Sequence, residues 1–211
     1  MFHKLLPKQN YRVKEKQRLD NKIIMEPDVR QQVRKVVFGA AIAALYTVLT
    51  FLSASLLIAY GPFQFRISEV LTILPFFFPI AVPGLFVGCI LANLLSPYGF
   101  ADMVIGSLAT LLAALCTMKL GKSENSEYLR VKALACLPPV LFNAVFIGAL
   151  IAYFMVAGGE TDAFWAAFVV NALQVGFGQL VVLYILGLPL MIYLPRMGVI
   201  HRLKQLYYKG E

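Results

Sequence analysis

At 211 residues, with 60% hydrophobic and 14% charged side chains and a mean hydropathy of +0.75, the chain departs from soluble domains, which carry about 25% charge. That length accommodates one bundle of about six membrane helices of roughly 20 residues each, and leaves little for a soluble catalytic domain. The net charge of +8 does not point to nucleic acid: of 19 basic residues, ten lie in Met1 to Lys35, four in Lys119 to Lys132 and four in Arg196 to Lys209, beside apolar spans where the positive-inside rule accounts for them.

Residues 1–32 read as a polar basic tail in which Pro7 and Pro27 limit helix, and the start lacks the apolar core and cleavage site of a signal peptide, so it is expected to be retained. Val33 to about Tyr60 reads as the first span, ending at Gly61-Pro62. From Phe65 to Ser96 the chain is apolar but carries Pro75, Pro79, Pro83 and Gly84, compatible with one kinked crossing or two short helices. Later spans are expected at Ala101 to Met118, Ala133 to Ala157 and Asn171 to Leu194, with Phe164 to Val170 as a short interfacial helix anchored by Trp165. Charge parity selects two crossings between Phe65 and Ser96, because only then do all three basic segments share the cytoplasmic side while the Gly158 to Asp162 acidic turn lies outside. The expected architecture is an all-α integral membrane protein. It has six transmembrane helices over residues 33–194, short broken second and third helices, and cytoplasmic basic tails at 1–32 and 195–211.

Arg66 is the one basic residue outside the three basic segments, and it stands three residues from Glu69 in otherwise lipid-compatible sequence. An intramembrane ion is costly and is a functional-site hypothesis by default; snorkelling of Arg66 or a mutual Arg66–Glu69 pair is the bland alternative. Glu69 and Asp102 are the carboxylates of the spans, Asp102 also fitting an interfacial helix start. Asn93, Asn143, Asn171, Gln174 and Gln179 are the more telling neutral polar residues, since serine and threonine hydroxyls are often satisfied by their own helix. Gly39, Ala40, Ala43 and Ala44 form overlapping small-x-x-x-small pairs on the first helix, suited either to internal packing or to docking of another membrane subunit; Gly84, Gly88 and Ala92 repeat the spacing and are expected to pack internally.

Cys89, Cys116 and Cys136 form no C-x-x-C pair, and both histidines, His3 and His201, lie in the tails, so no metal site or cofactor is expected. Gly121-Lys122-Ser123 lacks the first glycine and preceding strand of a phosphate-binding loop, and no hydrolase motif is present. The chain therefore carries no nucleotide engine of its own and lacks the usual signatures of a membrane hydrolase.

In order, QFRISEVLTILPFFFP, VPGLFVGCILANLL, GSLATLLAAL, PPVLFNAVFIG and GFGQLVVLYILGLPL resemble the QueT family over about Val36 to Leu194. That resemblance implies an S component, the substrate-binding membrane subunit of an energy-coupling-factor (ECF) transporter. It would bind a queuosine precursor, a 7-deazaguanine base, at its extracytoplasmic side and associate with a transmembrane coupling subunit and two cytoplasmic ATPase subunits. Ala40 and Ala44 match the family's A-x-x-x-A docking face, which Gly39 and Ala43 extend; Gly176-Phe177-Gly178-Gln179 stands where the family often has G-x-G-E. A deazaguanine offers adjacent N–H donors to a carboxylate, a carbonyl to an amide, and a flat face to aromatics. Glu69, Asn143, Gln179 and Asn93 supply the polar partners, Phe65, Phe142 or Tyr184 the stacking face, and Asp102 a second acid for a cationic aminomethyl group. Arg66 is expected either to hold Glu69 ionised or to close the outer loop. Other vitamin-sized substrates, a stand-alone secondary transporter and a membrane enzyme are the competing readings.

Overall fold

The computed structural model describes residues 27–59 and 63–208, and every regular element among them is helical. Residues 1–26 of the expected tail and the Tyr60-Gly61-Pro62 turn lie outside the described residues.

Helix α1, Pro27–Ser55, begins six residues before the expected Val33. Pro27 occupies the first turn, where its missing N–H has no intrahelical partner to lose, so it starts the helix and does not break it. The helix also ends before Gly61-Pro62: Leu57 takes a left-handed conformation (φ 60°) and the Ile58 N–H reaches back to the Ser53 carbonyl at 3.1 Å, a Schellman-type closure made without glycine.

The next segment, Ile67–Phe76, is a 3-10 helix containing Pro75. At about 2.0 Å rise per residue such a segment covers more distance per residue than an α-helix would. It runs from the loop beside α6 to the far end of α3, where Gly121 admits the Phe76 carbonyl. After a turn at Pro79, α2 (Ala81–Ala92) returns alongside α1. Gly84 lies on Gly39, and Gly88 on Ala43; a Cβ at Gly84 would come within 2.6 Å of the Gly39 carbonyl oxygen. Both contacts advance in the same direction along the chain, so α1 and α2 run parallel. The small residues on both helices thus form an internal seam, as expected for Gly84 and Gly88.

Helix α3 spans Gly99–Gly121. The following α4 (Leu129–Ala135) and α5 (Leu137–Ala157) are separated at Cys136, because Pro138 and Pro139 offer no N–H to continue the ladder. Helix α6, Phe164–Val182, is continuous, so Phe164 to Val170 is its first two turns and not a separate interfacial helix; Trp165 there is 75% exposed. A π turn at Leu183–Gly187 precedes α7 (Leu188–Arg196), where Pro189 removes a donor from the α ladder. After Gly198 (φ 70°), α8 (Val199–Tyr208) lies across the start of α1, with Ile200 buried beside Phe38 and the Arg34 guanidinium donating to the Leu206 carbonyl at 3.4 Å.

Four helices are long and apolar enough to cross a membrane, Val29–Ser55, Gly99–Gly121, Leu129–Ala157 and Phe164–Arg196. The expected second and third helices correspond to shorter apolar elements, Ile67–Phe76 and Ala81–Leu95. Large apolar side chains such as Val37, Leu45, Val48 and Leu173 point outward, as a lipid-facing surface requires. The interior divides into three apolar clusters, and its buried polar groups come mainly from α1, the 3-10 segment, α3, α5 and α6 and from the connections that carry Gln64, Arg66, Asn93 and Ser96.

Candidate functional site

The polar interior begins on α1. Phe38, Ile42, Tyr46, Thr50 and Ser53 recur at three- or four-residue spacing and are buried on one face. Tyr46, Thr50 and Ser53 receive the 3-10 segment: Thr50 Oγ1 donates to Ser68 Oγ at 2.7 Å and the Ile67 N–H donates to Ser53 Oγ at 3.0 Å. These bonds anchor the start of a segment whose own hydrogen-bond geometry is poorer than that of an α-helix.

Glu69 enters the bundle from this segment and is 1% exposed. Its Oε1 accepts from the Tyr46 hydroxyl at 2.7 Å, and its Oε2 from Asn143 Nδ2 on α5 at 3.4 Å. Gln179 on α6 and Arg66 both lie within electrostatic reach of the carboxylate. Four separate stretches of chain therefore converge on one carboxylate. Asn143 and Gln179, two of the residues the sequence reading singles out, are 5% and 2% exposed. The Gln179 Oε1 atom, by contrast, is buried with no hydrogen-bond partner. A buried amide oxygen left unpaired is uncommon and calls for a donor. Together with Glu69 it offers acceptors to a molecule rich in N–H groups.

A second cluster gathers Arg66, Asn93 and Asp102. Arg66 Nη2 meets Asp102 Oδ2 at 3.5 Å, Nη1 donates to Asn93 Oδ1 at 3.2 Å, and Nε donates to the Ala59 carbonyl at 3.3 Å. Asn93 Nδ2 donates to the Asp102 carbonyl at 3.0 Å, and the Ser96 hydroxyl donates to Asp102 Oδ2. The ion pair is deeply buried, with side chains 5% and 0% exposed. Asp102 lies in the first turn of α3, the helix start that the sequence reading allows, and is there the counter-ion of Arg66. The guanidinium thereby ties the loop after α1 to the start of α3. The same loop presses on α6, where Gly178 leaves room for the Gln64 carbonyl and Phe63 meets Phe177 edge-on at a centroid distance of 5.8 Å.

Two of the three aromatic candidates are engaged with other residues of the bundle. Tyr184 donates its hydroxyl to the Ala133 carbonyl at 3.0 Å, and Phe142 lies against Phe146 at 6.2 Å between centroids. Phe65 is half-buried, its N–H donating to the Ile58 carbonyl at 2.8 Å. The partner that the sequence reading misses is Tyr46. The available signal was the four-residue recurrence that places it on the same α1 face as Phe38, Ile42 and Thr50.

On the outside of the bundle, Gly39 and Ala43 are buried in the seam with α2, whereas Ala40 and Ala44 remain exposed. A shallow groove of about 270 Å³ follows this seam, bounded by Gly39, Ala40 and Ala43 on one side and by Ile80, Pro83 and Gly84 on the other. The four small residues of α1 thus divide between internal packing and a free face. Among the described residues no group of three or more His, Cys, Asp or Glu side chains is placed to hold a metal ion.

The family described as QueT transporter matches residues 36–196, which includes both polar clusters and the small-residue seam. The curated queuosine precursor transporter QueT of Lactococcus lactis subsp. cremoris (strain MG1363) is 39% identical over 77 residues, 36% of this chain and 45% of that relative's length. No solved structure matches the chain. Matched along most of its length, from α1 into α7, the chain belongs to the QueT transporter family.

Proposed function

We propose that this chain is the substrate-binding membrane subunit of an ECF-type importer, and that it captures a queuosine precursor with a 7-deazaguanine base. The observation that carries this reading is the buried Glu69 carboxylate, held by Tyr46 and Asn143 beside the unpaired Gln179 Oε1. A guanine-like edge presents adjacent N–H donors that match these acceptors, and the name carried by the Lactococcus relative supports the same substrate class. Arg66, Asn93 and Asp102 act here as the frame that positions the loop above Glu69, and not as ligand contacts. Phe65 is left as the candidate stacking ring.

The parallel course of α1 and α2 supports six crossings, since the 3-10 segment must then return between them and α3 must run back after α2. With six crossings both termini and the Lys119 to Lys132 loop share the cytoplasmic face, in accord with the positive-inside rule. The exposed Ala40 and Ala44 support docking of a transmembrane coupling subunit, which would link the chain to two ATPase subunits.

Titration calorimetry of the purified chain tests the assignment, using 7-cyano- and 7-aminomethyl-7-deazaguanine with adenine, riboflavin and thiamine as controls. Unpaired partners should make the site reject adenine by about 10⁴-fold or more. Glu69→Gln should weaken deazaguanine binding by about 1.5–3 kcal/mol, the scale of a charge-assisted hydrogen bond. Tight binding of a control vitamin without response to either deazaguanine refutes the substrate.

A further inference from the structure

Between the end of α5 and the first half of α6 lies a cavity of about 610 Å³, bordered by the turn that carries Glu160. Its polar lining includes Tyr98, Glu160, Asn171 and Gln174, and its apolar wall includes Ile151 and Met155; among the described residues one carboxylate and no lysine or arginine line it. Ile151 belongs also to the small apolar cluster with Ile147 and Val175, which are 8%, 2% and 1% exposed respectively. This layer lies on the same two helices as Asn143 and Gln179, between the cavity and Glu69. On α6 the step from Asn171 to Gln179 is about 12 Å along the axis at about 1.5 Å per residue.

Two features connect the cavity to the Arg66 frame. The Tyr98 N–H donates to Ser96 Oγ at 3.2 Å, and that hydroxyl donates in turn to Asp102. Burial, and then the charges of Asp102 and Glu160, hold the Tyr98 phenol above its ordinary range while Arg66 pulls the other way, so Tyr98 feels both the frame and the cavity rim.

We propose that this cavity is a separate capture site on the side of the acidic turn, where a planar heterocycle carrying a cationic side group is held before it passes the Ile147–Ile151–Val175 layer to Glu69. The Gln174 amide, the Asn171 amide oxygen and the Tyr98 hydroxyl supply hydrogen bonds, the Asn171 N–H groups being taken by the Ala167 carbonyl and the Met155 sulfur; the Ile151 and Met155 side chains supply an apolar wall, and Glu160 the attraction for positive charge. The passage to Glu69 rests on the function proposed above; the charge preference of the cavity does not. An aminomethyl-bearing base is therefore captured faster than its neutral nitrile analogue.

Two measurements separate these ideas. In the first, Gln174→Cys is labelled with the cationic trimethylammonium-ethyl and the anionic sulfonatoethyl methanethiosulfonates, each rate corrected for wild-type labelling and for its reactivity with free cysteine. One carboxylate close by should favour the cation about fivefold, and adding Glu160→Gln should bring the ratio near one. Equal rates in the Gln174→Cys chain overturn the cationic preference whichever ligand Glu69 takes. In the second, stopped-flow fluorescence of Trp165, the one tryptophan, which directly precedes the lining residue Ala166, follows binding of 7-aminomethyl-7-deazaguanine. Gln174→Leu should slow association about tenfold with little change in dissociation, whereas Glu69→Gln should speed dissociation and spare association. An unchanged association rate in Gln174→Leu overturns the capture site. If the wild type binds neither deazaguanine, the substrate assignment fails and the labelling ratio alone decides the cavity.

Discussion

Asp102→Asn tests the frame most directly. The exchange keeps shape but removes the carboxylate charge that stands 3.5 Å from the Arg66 guanidinium, a residue 4% exposed. Breaking a buried pair by removing one partner costs about 3–5 kcal/mol, because the surviving charge stays desolvated. Replacing both partners by apolar residues of similar volume removes that burden, so Arg66→Met with Asp102→Leu should recover a large part of the loss. Ser96→Ala removes one hydrogen bond to the same carboxylate and should cost about 1.5–3 kcal/mol. Unfolding by increasing mole fraction of denaturing detergent, followed by far-ultraviolet circular dichroism, compares the four chains. The expected order of stability is wild type, then Ser96→Ala and the double variant, then Asp102→Asn. An Asp102→Asn chain within about 1 kcal/mol of wild type, the range of an exposed ion pair, refutes the frame.

Ala40→Trp or Ala44→Trp should abolish co-purification with the coupling subunit and uptake into cells while leaving deazaguanine binding by the isolated chain intact; survival of both assembly and uptake makes the exposed face mere lipid-facing surface. Gly178→Ala places a Cβ against the Gln64 carbonyl, backbone that yields poorly, and should destabilise the chain by about 1–3 kcal/mol in the same detergent titration. Single cysteines at Ser123 and Thr161, labelled in intact cells with a membrane-impermeant maleimide, should react only after permeabilisation in the first case and directly in the second. Reaction of both from one side rejects six crossings.

Residue types alone settled that this chain lives in a membrane, that it is helical, and where polar groups sit along each span, because an apolar run this long has few other stable forms and an intramembrane ion is conspicuous against it. Glu69, Asn143 and Gln179 were legible for that reason, and so were the short elements around Pro75 to Pro83. What one-dimensional spacing left open was which polar groups meet. Arg66 and Glu69 stand three residues apart, yet the change from an extended loop to a 3-10 helix sends Arg66 to Asp102 and Asn93, and Glu69 to Tyr46. Pro27 opens a helix because its place is in the first turn, and Leu57 closes it because Ser53 accepts from Ile58, neither of which residue identity reveals alone. Likewise Gly39 and Ala43 became internal once α2 lay parallel to α1, leaving Ala40 and Ala44 free. Burial can be read from composition, but partnership depends on the direction in which each backbone segment carries its side chains, and that direction is set only when the helices pack.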